Sequence, residues 1–520
     1  MIALNIGIGF SCVKQDPNPI LYTWGGLIFT EGSVFSHDTK KIKAINNKFF
    51  MEKSYILFFN NATKYNYAYN CIMLKNIVFT VIALGTVLLS QSLPAKAQFD
   101  KSWSNPTKYP DHILLNYSDD PATTISVTWR TNKDIKKGFG EIAIAKGDPK
   151  FILNTEKFTA KTSNLNYSNV VNHYLNAKKT FSNLNHNYHS VTFTGLQPNT
   201  VYAYRVGDDK HWSEWIQFTT AHKTNEPFSF LYVGDAQNYI YDLWSRLIRE
   251  GYKKAPEASF ILHAGDLIDD AHNEEEWHEW FTAGGWIHRT LPSLAIPGNH
   301  EYRPLYKKDI SRRKKTLSIQ WNHQFTLPNN GVSDILETNY FLDYQGVRFI
   351  ALNSNVKIDE QTEWLENVLK NNPHKWTVAF FHHPLYSATT KRDYPERRKR
   401  WKPLFDKYGV DLALQGHDHA YARGSESLYE ENLITGTNVK DATGTVYVVS
   451  VSGPKHYDAK PNWDQYEPTR HKAGENKQLF QVISVDGNKL SYKSYTAIGD
   501  LFDTFDLIKN ENGINSLINE

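Results

Sequence analysis

Five short apolar runs in the second half of the chain each break off at a residue able to bind a metal, and that repetition leaves few folds open. Residues 228–233 (Phe-Ser-Phe-Leu-Tyr-Val) lead into Gly234-Asp235-Ala236-Gln237. Residues 258–264 lead into Gly265-Asp266-Leu267-Ile268-Asp269, and residues 291–297 into Gly298-Asn299-His300-Glu301. Residues 376–381 end in His382-His383-Pro384-Leu385-Tyr386, and residues 410–414 run on to Gly416-His417-Asp418-His419. Apolar runs of this length, bounded by turn residues, read as buried strands. Each phrase then stands where a strand gives way to a loop, the edge of an open α/β sheet at which loops converge on a ligand. The donors delivered are carboxylate, amide and imidazole, which suit oxygen- and nitrogen-seeking cations rather than thiophilic ones. Taken singly, Asp235 and Asp266 read as well as N-caps of following helices; five phrases in series outweigh that reading.

Between and after these runs the period changes. Residues 239–250 place Leu243, Leu247 and Ile248 at helical spacing, and residues 359–371 do the same with Trp364, Leu365, Val368 and Leu369. Asp359, Glu360 and Glu363 open the second helix and Lys370 closes it, in accord with the helix dipole. Further strands are predicted at 347–353, 445–452 and 479–485, and the alternating tail 487–508 adds strands at a sheet edge. Residues 108–220 differ. Runs at 124–129, 140–145, 189–194 and 201–206 alternate apolar with polar residues, and Gly195-Leu196-Gln197-Pro198-Asn199-Thr200 makes a turn. Such spacing predicts an antiparallel β-sandwich of immunoglobulin or fibronectin type. Nothing in it has catalytic spacing, and His186 and His189 read as lying in or beside a loop. Residues 221–227 form a short polar linker.

The start of the chain carries a separate signal. Met73-Leu74-Lys75-Asn76, the apolar run 77–89 and Ser92-Leu93-Pro94-Ala95-Lys96-Ala97 form a positive start, a hydrophobic core and a small-x-small cleavage site. The apolar run is shorter than the roughly 20 residues of a spanning helix. We therefore expect residues 73–97 to be a signal peptide, with translation starting at Met73 and residues 1–72 a mispredicted extension; an uncleaved anchor with a short cytoplasmic tail is the alternative. The protein is then secreted or periplasmic, with no stable membrane insertion after cleavage. Both cysteines, Cys12 and Cys71, precede Met73. A mature chain from Gln98 has none, which excludes a disulfide framework, thiol catalysis and a cysteine zinc site. A net charge of +3 is too small to argue for nucleic acid.

The phrases Asp235-x-x, Gly265-Asp266, Gly298-Asn299-His300-Glu301, His382-x-Pro384 and Gly416-His417-x-His419, in that order, resemble the calcineurin-like metallophosphoesterase superfamily. The preceding sandwich makes the closer resemblance the purple acid phosphatase family. That likeness implies an α/β architecture: a four-layer αββα metallophosphoesterase sandwich over 226–508, preceded by the fibronectin-like domain at 108–220. It also implies two metal ions. Asp235 and His419 then bind the first, Asn299, His382 and His417 the second, and Asp266 bridges both. His300 is implied to be no ligand but to face the phosphate and its leaving group. Two ions ~3.5–4 Å apart clamp the oxygens of an in-line displacement. On this reading a metal-bound hydroxide attacks phosphorus while His300 protonates the departing alkoxide.

His383 is expected to orient a neighbour, Asp418 to point away from the site, His263 to lie in or behind the core, and the basic run 391–402 to be a solvated helix face plus loop. Two departures from the family stand out. Three residues after the bridging aspartate, where that family has a metal-binding tyrosine, stands Asp269. Two residues after the first aspartate, where many relatives have histidine, stands Gln237. The first metal lacks one recognised ligand, and Gln237, Asp269 or water fills the gap. Divalent Mn, Zn, Mg, Ca or Fe then suit the site. The expected activity is hydrolysis of small phosphomonoesters. Phosphodiester or nucleotide hydrolysis at the same site is the alternative, and a non-catalytic binding protein a third reading. The leader predicts that the exported form begins at Gln98; an intact mass that retains residues ahead of Ala97 contradicts this.

Overall fold

The structure, a computed structural model, describes residues 100, 102–173, 179–390, 392–427, 442–460, 463, 469–474 and 476–519, together with four short strands between Ser11 and Ser36. The chain divides into two compact units, residues 1–95 and 96–520. In the first, Ser11–Val13, Leu21–Trp24, Leu27–Thr30 and Ser33–Ser36 pair in sequence order as an antiparallel sheet. The leader expected at 73–97 lies outside the described residues.

The second unit opens with the sandwich. One sheet runs Ile216–Thr219, Val201–Gly207, Phe139–Ile144, Glu156–Thr159, antiparallel throughout. The facing sheet runs Asp111–Asn116, Ile125–Asn132, Lys179–Phe193, Lys161–His173. In the strand Ile125–Asn132 the alternation serves two cores. Ile125, Val127 and Trp129 are buried in a cluster with Phe193, Tyr204 and Val206. The alternate residues Ser126, Thr128 and Arg130 are also buried. The Thr128 hydroxyl donates to the Gln324 carbonyl at 2.5 Å. Arg130, fully buried, grips Asp111 with two nitrogens (2.8 and 2.7 Å) and also meets Glu274. A ladder contact, Asn116 to Ser293, carries the sandwich into the sheet that follows. The two histidines expected in or beside a loop are instead inside the 15-residue strand Lys179–Phe193 and buried. His189 lies between the Thr131 and Thr162 hydroxyls, 2.8 Å from each, and His186 faces Glu274. Of the long hairpin they sit on, only the alternating end at 189–194 was legible, because the rest of its two strands is neither uniformly apolar nor alternating.

The rest is a mixed α/β sandwich of two face-to-face sheets. In one, Leu501–Lys509, Lys489–Thr496 and Leu479–Asp486 run antiparallel into Phe228–Val233, which pairs in parallel with Ile261–His263 and then Ser293–Ala295. In the other, Tyr340–Tyr344, Val347–Leu352, Trp376–Phe381, Leu412–Gln415 and Ala442–Val449 lie side by side, the last four in parallel. Tyr421–Ser427 and Thr469–Gly474 extend it. Phe230 and Phe260 of one sheet meet Phe349 of the other edge-on, each at 5.2 Å. Burying a ring of this size stabilises the fold by about 1.5–3 kcal/mol. Tyr232 and Tyr340 add a hydroxyl each to carbonyls of the opposite sheet, Gln415 and Ala295.

The runs predicted as strands in this region end within three residues of expectation, the run 445–452 stopping at Val449, and Ile261–His263 and Ser293–Ala295 are shorter than their apolar stretches. The helix expected over 239–250 is a wide π turn, Ile240–Trp244, that passes into an α-helix, Ser245–Lys254. Ile358–Lys370 matches its prediction within a residue. Helix Glu274–Gly284 escaped notice because it is buried on most sides, Glu276 and Glu279 included, so it shows no single apolar stripe.

Burial also depresses histidines. It pulls His189, His272 and His278 down to about 4 and His288 to about 3. A histidine that stays neutral when folded binds its proton near pH 6.5 when unfolded. Stability from these four is therefore complete above pH 6.5 and is lost as pH falls toward 4, by up to about 1.4 kcal/mol per unit for each. Burial pushes the Asp270 and Glu337 carboxyls up to about 7, which acts in the opposite sense between the unfolded carboxyl range and pH 7. Four outweigh two. The urea midpoint should drop steeply between pH 6.5 and 4.5; an unchanged midpoint over that range contradicts the assignment.

Candidate metal centre

At the C-terminal edges of both sheets the backbone turns sharply to present its polar side chains. Asp235 (φ 54°), Asp266 (φ 52°), His417 (φ 74°) and His419 (φ 50°) all adopt the left-handed conformation. Such residues cost of order 1–3 kcal/mol each and persist only where the surroundings fix them. Two glycines show how tight the packing is. A Cβ on Gly298 would collide with Asp266 Oδ1, and one on Gly416 with Asp235 Oδ2. Glu301, fully buried, holds two of the loops together. Its carboxylate accepts the N–H groups of Asp266 (2.9 Å), Leu267 (2.8 Å), Ile268 (3.3 Å) and Gly298 (2.7 Å).

Two sets of buried donors result. Asp266, His382 and His417 form one and Asp235, Asp266 and His419 the other, each with its ligand atoms within 4.8 Å of one another. Asp266 belongs to both. The ring nitrogens are oriented from outside. His382 Nδ1–H donates to the Ala264 carbonyl (2.9 Å), which leaves Nε2 facing Asp266 Oδ2 (3.1 Å), Asn299 Oδ1 (3.3 Å) and His417 Nδ1 (3.2 Å). His419 Nδ1–H donates to the Lys455 carbonyl (3.0 Å), which turns Nε2 toward Asp235 Oδ1 (3.6 Å) and the Gln237 amide (2.9 Å). His417 meets the Tyr394 hydroxyl through Nε2 (2.6 Å) and so presents Nδ1 inward. Hydrogen bonds of this kind fix the tautomer of metal-binding histidines.

The arrangement fits two cations. Asp266 Oδ2 and Gln237 Oε1 are buried without a hydrogen-bond donor, and imidazole lone pairs converge on the same space. The titration behaviour points the same way. Burial drives the Asp235 carboxyl well up, and the charge of Asp266 adds to that. Asp266 is held well down despite its burial, by His382 and His300. His382 is raised to about 9: burial opposes its charge, but Asp266 and Asp235 demand it. The pocket requires positive charge where His382, Asp266 and Asp235 meet.

The six candidate ligands read from the sequence thus come together: Asp235, Asp266, Asn299, His382, His417 and His419. His300 lies beside them, its Nε2 3.9 Å from Asp266 Oδ2. Its Nδ1 is 2.6 Å from the Asp269 carbonyl and 3.1 Å from Asp269 Oδ1. Asp269 therefore faces His300 and is absent from the first donor set, whereas Gln237 adjoins it. His383 supports rather than joins: Nδ1 bonds the Ser354 hydroxyl (2.8 Å) and its ring packs on His417. Asp418 does point away, accepting from Ser387 Oγ (2.7 Å) and Ala388 N (2.6 Å), but not because the segment is extended; left-handed residues on either side turn it out. The basic run 391–402 is only partly a solvated face. Arg392 donates to the His417 carbonyl (2.6 Å) and Tyr394 holds His417. Sequence reading missed these two, Glu301 and Arg303, whose Nη2 lies 2.6 Å from His300 Nδ1. A third donor set, Asp111, His112 and His278, is already served by a cation, since Arg130 takes both Asp111 oxygens. A cleft of about 850 Å³ opens near the starts of the strands, at Phe228, Ser259 and Ser484, and no candidate ligand lines it.

A nest of donors at the edge of a doubled sheet defines the class as metallophosphoesterase, and comparison agrees. Residues 228–421 match the family model for calcineurin-like phosphoesterases, and residues 110–220 that for the purple acid phosphatase N-terminal domain. The chain belongs to the purple acid phosphatase family. It is 27% identical over 304 residues to purple acid phosphatase 15 of Arabidopsis thaliana, covering 51% of this chain and 53% of that protein. It is 29% identical over 259 residues to acid phosphatase type 7 of Mus musculus, covering 45% and 56%. The chain thus spans little more than half the length of these relatives. The purple acid phosphatase PPD1 from yellow lupin (Lupinus luteus) seeds superposes with a TM-score of 0.62 over 78% of this chain and 75% of that one; at 19% identity this concerns the fold alone.

Glu301→Gln should test the clamp. Burial, and then the charge of Asp266, push the Glu301 carboxyl up to about 7, so the test belongs above that pH: an amide then turns N–H groups toward donors that meet a carboxylate, and hydrogen bonds to a charged group contribute about 1.5–3 kcal/mol each. We expect a loss of about 3 kcal/mol by urea denaturation; a loss below about 0.5 kcal/mol contradicts the clamp.

Proposed function

We propose that the chain hydrolyses phosphomonoesters outside the cytoplasm, with residues 226–508 as its catalytic domain and 108–220 as its fibronectin-like domain. The observation that carries this reading is the sharing of Asp266 between two donor sets, with His300 alongside. Asp235, Asp266 and His419 would hold one cation, and Asp266, Asn299, His382 and His417 the other. Two such ions supply Lewis-acid polarisation of a phosphoryl oxygen and lower the pKa of water. The protein's own part is orientation. Asp269 fixes the His300 ring through Nδ1, and Nε2 is left toward the reacting edge, where it can protonate a departing oxygen. Arg303, beside His300, Arg392, behind His417, and Lys455, whose charge acts on His419 and Asp269, surround the donors with cations. That balance favours a monoester dianion over a diester monoanion.

No tyrosine stands at Asp269, and the Tyr394 hydroxyl is engaged by His417 Nε2 on the side away from the donor sets. The reading is therefore of a colourless enzyme served by divalent Mn, Zn, Mg, Ca or Fe, with an optimum nearer neutral than acidic pH. Among the described residues no helix is long and apolar enough to cross a membrane, and export rests on the leader at 73–97.

Hydrolysis of p-nitrophenyl phosphate well above bis-p-nitrophenyl phosphate, abolished by chelator, is the expected result; the reverse preference favours the diesterase alternative. His300→Ala should slow alkyl phosphates by ~10²–10⁴-fold and p-nitrophenyl phosphate far less, because p-nitrophenolate leaves without a proton. Equal losses on both substrates contradict an acid role for His300.

A further inference from the structure

We propose that the side-chain amide of Gln237 is a ligand of the first cation, its oxygen bonding alongside Asp235, Asp266 and His419, so that two anionic and two neutral donors make this a site for divalent ions. The proposal rests on the dinuclear reading above and settles which group completes it.

Gln237 is fully buried, and its Oε1 has no hydrogen-bond donor. The other amide atom lies 2.9 Å from His419 Nε2. Because His419 Nδ1–H is committed to the Lys455 carbonyl, Nε2 carries a lone pair. An amide N–H can meet that lone pair only by leaving Oε1 buried and unpaired, which costs about 1–3 kcal/mol. Oxygen and nitrogen of an amide are told apart by their partners alone. With the group turned over, the oxygen stands 2.9 Å from His419 Nε2. Two lone pairs so close repel unless a cation lies between them. The spacing suits one: two donors bonded to an ion at ~2.1 Å and at right angles are about 3.0 Å apart.

The backbone brings Gln237 to this place. Its N–H donates to the Asp266 carbonyl (3.2 Å), and Asp235 N–H donates to the Gly265 carbonyl (2.9 Å). Asp235, Asn238 and Tyr239 all have positive φ. The loop is contorted on both sides of Gln237, and strain of this kind collects at functional sites. The competing residue, Asp269, is committed elsewhere. Its carboxylate and carbonyl face His300, and its N–H donates to Glu276 at 2.9 Å.

The charges then follow. Around the first ion stand two carboxylates, one of them shared, with an amide and an imidazole. Around the second stand the shared carboxylate, an amide and two imidazoles. Two negative charges face two cations in a buried pocket, and an uncompensated buried charge is costly. Divalent ions leave less excess than a divalent–trivalent pair.

Mn²⁺ binding to the mature chain, followed by calorimetry and electron paramagnetic resonance, tests the assignment. Wild type should bind two ions. Gln237→Ala should weaken one of them by at least tenfold and leave the other unchanged, and the Co²⁺-loaded protein should show a changed d–d spectrum. Asp269→Ala should retain both sites. Gln237→Glu, which keeps the volume, should tighten the first site by at least tenfold, and it decides the matter if the alanine variant does not fold. Unchanged affinity in Gln237→Ala or Gln237→Glu overturns the proposal, as does loss of one ion in Asp269→Ala. A wild-type chain that binds fewer than two ions overturns the dinuclear reading, and this assignment falls with it.

Discussion

Two carboxylates that share one pocket, Asp235 and Asp266, govern the rest of this structure. Both are buried to within 1%, and like charges so placed cannot both remain ionised without compensation. The backbone supplies part of it. His417 N–H donates to both oxygens of Asp235 (2.9 Å each), and His300 N–H to Asp266 Oδ1 (2.8 Å). His382, raised against its burial to about 9 by the two carboxylates, supplies some of the rest, and the proposed cations would account for the convergence of Asn299, His417, His419 and Gln237 on the same space. The left-handed residues at the strand ends are part of the same constraint. Their cost is tolerated because strands from two packed sheets fix their positions.

The sandwich is not an appendage to this centre. The Ile125–Asn132 strand packs its apolar residues into its own core and its polar residues against the catalytic region, so its burial is nearly complete. Arg130 anchors that face, with Asp111 on its own side and Glu274 opposite. Glu274 opens the helix whose first turn also carries Glu276, and Glu276 accepts the N–H groups of Asp269 and Asp270. The hairpin reaches the site from another direction: Val171 N–H donates to the Leu305 carbonyl, two residues past Arg303. Both routes end on the loops that hold His300. A buried charged cluster is weak evidence for stability; here it joins the two regions through Arg130.

What the sequence disclosed and what it withheld divide along physical lines. Phe228–Val233, Trp376–Phe381 and the donors after them were legible because a strand buried on both faces leaves an uninterrupted apolar run with an abrupt end. Glu274–Gly284 was not, since a helix buried on most sides with its glutamates used as acceptors carries no stripe. Tyr394 and Arg392 act through single contacts with His417, and a basic run conceals such contacts. Glu301 looked like part of a motif, yet its work is done by a carboxylate spread over four backbone N–H groups, which no spacing rule reveals. His186 and His189 misled because Asn and His dominate a segment that is nonetheless paired on both edges.

The two departures from the family pattern, Gln237 and Asp269, have one explanation. A residue three positions after Asp266 can swing toward the metals or toward His300. In this chain the Asp269 backbone is pinned by Glu276, and its carbonyl and carboxylate both converge on His300 Nδ1. A carboxylate there lies against the imidazole at Nδ1 and orients the ring. That leaves the first donor set one ligand short, and Gln237, on the opposite loop, fills it with a neutral oxygen rather than a third anion. On the proposed reading one loop lowers the charge the cations must match, while the other places the Asp269 carboxylate against His300.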